Sequence, residues 1–291
     1  MFEGIHTALI TPFRDGAVDE EALRAHVERQ IEAGVDGLVP CGSTGESATL
    51  SHDEHNRVVE IVVEAAAGRV PVIAGAGSNA TREAIELTQH ARDAGADGAL
   101  LLSPYYNKPT QEGIYAHYAK IAEETRFPLV IYNVPGRTAS NILPDTIARL
   151  ARLDWIVGVK EACGNLEQIA HVIARSPADF VVLSGDDALT LPMLAIGGRG
   201  VISVGSNIAP DRLAALVRAF RDGDVGGAQQ LHYALLPLFD VLFCETNPIP
   251  VKAAAAALGW CSDEIRLPLT PLTEPNRERL QFVLKDLGIL Q

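Results

Sequence analysis

Short apolar, β-branched runs recur along the chain, each bounded by glycine, proline or asparagine. They predict strands at His6–Thr11, Gly37–Cys41, Val70–Gly75, Gly98–Ser103, Leu129–Asn133, Ile156–Lys160, Val181–Gly185 and Gly200–Val204. Several are apolar at nearly every position, as a parallel sheet covered on both faces requires. Between them the period changes to that of a helix. Leu23, Val27 and Ile31 fall on one face of Asp19–Glu32. Ser51-His52-Asp53-Glu54 reads as a capping box opening a helix that carries Val58, Val59, Ile61 and Val62. Eight strands alternating with helices predict a (β/α)8 barrel of the TIM type rather than a six-stranded open sheet. Past Gly223 the strand-like runs stop. Helical stretches at Ala228–Leu242 and Val251–Leu258 remain, among Pro248, Pro250, Pro268 and Pro271. The chain therefore divides into a barrel, residues 1–222, and a C-terminal helical extension, residues 223–291. The Ala253–Ala257 run is plain helix propensity.

Charge narrows the partners. Lys and Arg number 24 against 37 Asp and Glu, a net −13 with no basic cluster, which argues against nucleic acid. No run of about 18 apolar residues exists, so no membrane span is expected. Met1-Phe2-Glu3-Gly4 lacks the basic and apolar regions of a signal peptide. Cys41, Cys163, Cys244 and Cys261 lie far apart without a C-x-x-C pair, which predicts a reduced, cytoplasmic chain and no zinc framework.

A barrel places its chemistry at the C-terminal ends of its strands, and polar residues collect there. Lys160 follows Trp155-Ile156-Val157-Gly158-Val159, so its stem leaves a buried strand and its amine enters the barrel mouth. An apolar cavity disfavours the ammonium, and a neutral amine can attack a ketone to form a Schiff base. The bland alternative is an ion pair with Glu161. Gly42-Ser43-Thr44-Gly45 offers two hydroxyls and permissive backbone for a small anion, although such a turn is usually only a connection. Tyr132 ends the strand before the lysine strand and could relay protons if bonded to a hydroxyl such as Thr44; otherwise it anchors a loop. Arg137 suits bidentate carboxylate binding, or else forms a surface salt bridge.

Two motifs compete for other readings. Gly75-Ala76-Gly77-Ser78-Asn79-Ala80 satisfies the dinucleotide fingerprint, but it follows the third strand, and Asp93 and Asp97 do not end the following strand as its acid should. His52 and His55 could share a metal, yet a solvated helix start or a regulatory surface suits them better.

Taken together, the stretch Gly42–Leu50, Pro104-Tyr105-Tyr106-Asn107, Tyr132–Thr138, Val159-Lys160-Glu161 with Gly164-Asn165, Ser184-Gly185-Asp186-Asp187 and Asn247–Lys252 resembles the dihydrodipicolinate synthase family of pyruvate-dependent class I aldolases, relatives of the N-acetylneuraminate lyases. The resemblance covers nearly the whole chain, with motifs in the same order. It implies condensation of pyruvate with L-aspartate 4-semialdehyde to give 4-hydroxy-tetrahydrodipicolinate, in lysine and diaminopimelate synthesis. The imine on Lys160 then takes the place of a cofactor, with no metal. It implies a proton relay of Thr44 and Tyr132 with Tyr106 from a neighbouring subunit. Arg137 would hold the aldehyde's carboxylate and Ser43 the pyruvyl carboxylate, with Gly185 to Asp187 and Ile202 shaping the pocket. It further implies a homotetramer, a dimer of dimers, with L-lysine as inhibitor at Ser47, Ala48, His52, His55, Asn79, Glu83 and Tyr105.

Two departures stand out. The family's usual Gly-Thr-Thr-Gly-Glu reads Gly-Ser-Thr-Gly-Glu, a Ser-Thr pair also familiar in the sialic-acid lyases, and Ala139 stands where glycine is common. Alternatives are a 2-keto-3-deoxy sugar acid aldolase or N-acetylneuraminate lyase-type enzyme, a catalytically silent barrel that binds a keto acid, and an NAD oxidoreductase. Arg137 favours an acidic aldehyde over a polyhydroxylated sugar.

Overall fold

A computed structural model describes residues 1–291. Eight parallel strands form the barrel: β1 (Gly4–Ala8), β2 (Gly37–Val39), β3 (Ile73–Gly75), β4 (Gly98–Leu102), β5 (Leu129–Asn133), β6 (Ile156–Glu161), β7 (Val181–Ser184) and β8 (Gly200–Ser203). The hydrogen-bonded order is β2-β1-β8-β7-β6-β5-β4-β3. A bridge between Leu38 and Val72, with the Gly75 amide donating to the Pro40 carbonyl at 2.9 Å, closes the ring between β2 and β3. The (β/α)8 barrel with C-terminal helices expected from the hydrophobic pattern is therefore the fold.

Alternation along each strand builds two apolar layers. On β5, Val130 and Tyr132 point inward and join Ala8, Val39, Ile73, Leu100, Leu183 and Ile202 in the barrel interior. Leu129 and Ile131 point outward into a larger core shared with the helices. That outer core takes in Leu235, Leu238, Val251, Leu280 and Leu284 of the C-terminal helices, so these pack on the barrel through the same apolar layer.

Local signals account for the helices. Asp19 caps α1 (Glu20–Glu32) by accepting from the Ala22 amide at 3.1 Å. The expected capping box at α2 (His52–Ala66) is present: Ser51 accepts from the Glu54 amide at 3.2 Å, and Glu54 accepts from the Ser51 amide at 2.9 Å. Boundaries moved where apolar runs are buried without being sheet. Leu9 to Thr11 lie past the end of β1, where the Ile10 amide donates to Asn207 Oδ1 at 3.1 Å. β3 begins at Ile73, because Pro71 has no amide to donate.

In the C-terminal region α10 (Val225–Val241) starts three residues earlier than expected, at an Asp224 cap ahead of Gly226-Gly227. In α11 (Ile249–Ala257), Pro250 sits in the first turn, where proline is tolerated, rather than breaking the helix. Two elements escaped the hydrophobic pattern. One is α12 (Glu274–Asp286), a polar helix that buries only Leu280 and Leu284. The other is the two-residue hairpin of Phe13–Arg14 and Ala17–Val18, turned by Asp15-Gly16 with φ of 54° and 83°. No helix is long and apolar enough to cross a membrane.

Candidate active site

At the C-terminal end of the barrel a cavity of about 1000 Å³ collects residues from nearly every strand end, and Lys160 sits at its base. The parallel register sets Tyr132 of β5 beside Lys160 of β6, both facing inward. Lys160 Nζ lies 4.3 Å from the centre of the Tyr132 ring. Burial lowers the amine to about 7; the buried Asp187 carboxylate opposes that shift and the Arg137 charge adds to it. An ion pair with Glu161 does not form, because the next residue on a strand faces the other side: Glu161 points outward and accepts from Asn133 Nδ2 at 2.8 Å. Lys160 thus has the two properties a Schiff-base lysine needs, an accessible cavity and a proton that leaves near neutrality.

Gly185 makes room for that side chain. A Cβ there would lie 3.0 Å from Lys160 Cε and 2.8 Å from Ala162 Cβ. Asp187 is buried below the wall, its Oδ2 accepting from the Val204 and Gly205 amides at 3.0 and 2.8 Å.

The hydroxyls are distributed differently from the sequence reading. Burial pushes the Tyr132 phenol up, and the Arg137 charge and the Ser43 hydroxyl pull it partly back. Thr44 Oγ1 instead accepts from Asn247 Nδ2 at 3.0 Å. Because the amide donates, the Thr44 hydroxyl keeps its own proton to give. The Asn247 carbonyl also accepts from Arg137 at 3.2 Å. Arg137 is exposed and pairs with no carboxylate, so its guanidinium is free at the mouth. It lies in α5 (Pro135–Thr138), which ends at Ala139 with φ of 55°, the left-handed conformation that explains why glycine is common there.

Asn247 was not among the residues singled out individually, and neither was the strut beneath the Ser43-Thr44 turn. Glu46 and Lys252, both side chains 1% exposed, form an ion pair at 2.6 Å. Lys252 Nζ also lies 4.1 Å from the Phe13 ring centre, and the Arg266 guanidinium lies 4.2 Å from the same ring. Partners 206 residues apart leave no local signal.

The remaining candidates divide. Tyr106 is 88% exposed with φ of 72° and does not reach this chain's own cavity. Ile202 lies one layer down in the barrel interior, and Val204 takes its place on the cavity wall. Ser47, Ala48, His52, His55, Glu83 and Tyr105 line the far end of the same cavity, while Asn79 stands behind, donating to the Tyr105 carbonyl at 3.2 Å. His52 Nε2 donates to Glu83 Oε1 at 2.9 Å, and Ser78 donates to the other carboxylate oxygen; these bonds hold Glu83 below the usual carboxylate range. His55 Nε2 donates to the Gly75 carbonyl at 2.8 Å, which ties it to the strand end. The glycines of the dinucleotide-like turn serve packing: a Cβ on Gly75 would lie 2.1 Å from the Cys41 carbonyl oxygen, and one on Gly77 would lie 2.2 Å from Leu102.

Residues 1–287 match the Dihydrodipicolinate synthetase family. The chain is 59% identical over 291 residues, all of both chains, to 4-hydroxy-tetrahydrodipicolinate synthase of Syntrophobacter fumaroxidans. It superimposes with a TM-score of 0.98 and 46% identity on chloride-inhibited dihydrodipicolinate synthase from Acinetobacter baumannii complexed with pyruvate, covering 100% of both chains. The lysine-bound enzyme from Cyanidioschyzon merolae gives 0.97 and 43%, covering 99% of each chain.

Proposed function

This chain belongs to the dihydrodipicolinate synthetase family, and from that premise we propose which of its residues carry out the Schiff-base condensation of pyruvate with L-aspartate 4-semialdehyde. The reaction gives 4-hydroxy-tetrahydrodipicolinate for lysine and diaminopimelate synthesis, and the imine serves as electron sink in place of a cofactor.

Lys160 Nζ adds to the pyruvate ketone and water leaves, giving a protonated imine. Loss of a methyl proton gives the enamine, whose carbon attacks the aldehyde, and the new alkoxide takes a proton. The amino group of the semialdehyde then displaces Lys160 from the imine carbon, closing the ring and freeing the enzyme. Tyr132 and Thr44 move the protons; supporting this, Tyr132 faces Lys160 and Asn247 leaves the Thr44 proton free. Ser43 holds the pyruvyl carboxylate. Arg137, a cation without a partner carboxylate at the mouth, holds the carboxylate of the aldehyde. Gly185 gives the imine its space, and the wall above Ile202 closes the pocket.

The single observation carrying these roles is the buried, unpaired Lys160 whose amine is lowered to about 7. We propose three further parts. Tyr106, exposed on its loop, completes the relay of a neighbouring copy within a homotetramer. L-lysine inhibits at the end of the cavity lined by His52, His55, Glu83 and Tyr105, in line with the lysine-bound relative. The enzyme works in the cytoplasm, which suits four unpaired cysteines.

The test is incubation with pyruvate and borohydride, followed by intact mass and peptide mapping. A reduced pyruvyl adduct on Lys160, absent in Lys160→Ala, is the expected outcome. A folded protein without an adduct would overturn the mechanism.

A further inference from the structure

The outer rows of β5 and β6 are apolar until their last rung. Leu129, Ile131, Ile156 and Val159 all enter the outer core. At the final position the pattern breaks: Asn133 and Glu161, register partners on adjacent strands, are both polar and buried, 0% and 1% exposed. Burying two polar side chains where two aliphatic ones would pack is unfavourable unless they are bonded to something that matters.

Their bonds are directional. Asn133 Oδ1 accepts from the Ile142 amide at 3.0 Å, which fixes the amide orientation and turns its Nδ2 toward Glu161 Oε1 at 2.8 Å. Asn133 Nδ2 also reaches Asn141 Oδ1 at 2.9 Å, and Asn141 in turn bonds Gln168 of α7 (Leu166–Arg175). The other carboxyl oxygen of Glu161 has no hydrogen-bond partner, although the Cys163 thiol lies beside it. Main-chain bonds extend the rung on both sides. The Asn133 carbonyl accepts from the Ala162 amide at 2.9 Å, and the Glu161 carbonyl accepts from the Gly185 amide at 2.7 Å. Gly185 is the residue whose missing Cβ leaves space for Lys160, and the rung lies one residue beyond the Tyr132–Lys160 pair on the same two strands.

We propose that Asn133 and Glu161 are positioning residues: their buried hydrogen bond, outside the barrel wall, fixes the separation of Tyr132 and Lys160 inside it. The inference rests on the assignment of Lys160 as the Schiff-base lysine. Neither residue touches the substrate cavity.

Three variants test it, each followed by the rate of borohydride-trapped pyruvyl adduct, by kcat and KM, and by thermal unfolding. Glu161→Leu continues the aliphatic outer row. The rung predicts a fall in the imine rate and kcat of about tenfold, with the pyruvate KM changed less than about threefold. Asn133→Leu, close in size, removes the donor to Glu161 and continues the aliphatic outer row of β5; it predicts a similar fall and serves if Glu161→Leu does not fold. Glu161→Gln keeps an acceptor for Asn133 and is predicted to recover most of the rate lost in Glu161→Leu. Absence of an adduct in the wild-type chain would overturn the underlying assignment of Lys160. An adduct in the wild type, with wild-type rates in folded Glu161→Leu or Asn133→Leu, would overturn the rung alone. So would a Glu161→Gln variant as slow as Glu161→Leu, which would point to the carboxyl group itself rather than to positioning.

Discussion

Replacing Lys252 by methionine removes one half of the Glu46–Lys252 pair while filling nearly the same space. Both side chains are 1% exposed and their charged atoms are 2.6 Å apart, so the variant strands a carboxylate in the interior. Breaking a buried pair on one side costs about 3–5 kcal/mol, most of it the uncompensated charge. Glu46 keeps one bond, from the Arg266 amide to Oε2 at 3.2 Å, which places the expected loss toward the lower half of that range. For 291 residues, about 2.1 cal/mol/K per residue gives an unfolding entropy near 0.6 kcal/mol/K, so Tm should fall by about 5–7 °C.

The double variant Glu46→Gln/Lys252→Met removes the charge as well as its partner and should recover at least half of the loss, since the amide oxygen still accepts from Arg266. Activity should suffer beyond stability. Glu46 closes the turn carrying Ser43 and Thr44, its amide donating to the Ser43 carbonyl at 3.2 Å. A turn free to shift by a fraction of an ångström costs kcat about tenfold at temperatures where the variant is fully folded. Thermal unfolding followed by circular dichroism, together with steady-state kinetics, checks both parts. A Tm within 2 °C of wild type, or a double variant no more stable than the single one, would refute the reasoning.

Four other outcomes follow from the site. The pyruvate imine rate should rise about tenfold per pH unit below pH 7 and level off above it, because the free amine is the nucleophile and burial sets Lys160 to about 7; stopped trapping with borohydride across pH 5.5–9 measures it. The same shift fixes the sign for stability. Between pH 7 and the ordinary lysine range the unfolded chain binds the proton and the folded chain does not, so the destabilisation from burying Lys160 shrinks as pH rises. Gly185→Ala brings a Cβ to 3.0 Å from Lys160 Cε and should slow imine formation at least about tenfold while leaving a folded barrel, read by adduct mass and far-UV spectra. Arg137→Ala should raise the KM for the semialdehyde and lower kcat/KM by about 10²-fold with pyruvate trapping intact; unchanged aldehyde kinetics would remove it from the carboxylate site.

How much of this was legible in the sequence depends on the range over which each signal acts. The barrel was legible because alternation of strand and helix repeats eight times and each unit is local. Lys160 was legible because an apolar strand delivers it to the one end of the barrel where chemistry is placed. The partner of Glu161 was not: alternation turns it outward once Lys160 faces in, but nothing local marks Asn133, 28 residues away on the neighbouring strand, as the group it bonds. Nor could sequence pair Thr44 with Asn247, which lies 203 residues away, or Glu46 with Lys252.

These long-range contacts have a pattern of their own. Thr44, Arg137 and Glu46, all on loops at the mouth, are each held by Asn247, Lys252 or Arg266, all of which follow the last barrel strand. Loops at the C-terminal face carry specificity because the barrel beneath them does not constrain their positions. Here the constraint comes from the C-terminal extension: Asn247 just before the helix Ile249–Ala257, Lys252 on it and Arg266 beyond it reach back over the mouth, while the apolar faces of the helices join the outer core. Lys160 and Tyr132, fixed by strand register, need no such support. The proposed nucleophile therefore depends on the barrel, and the groups proposed to orient its substrates depend on the chain that follows it.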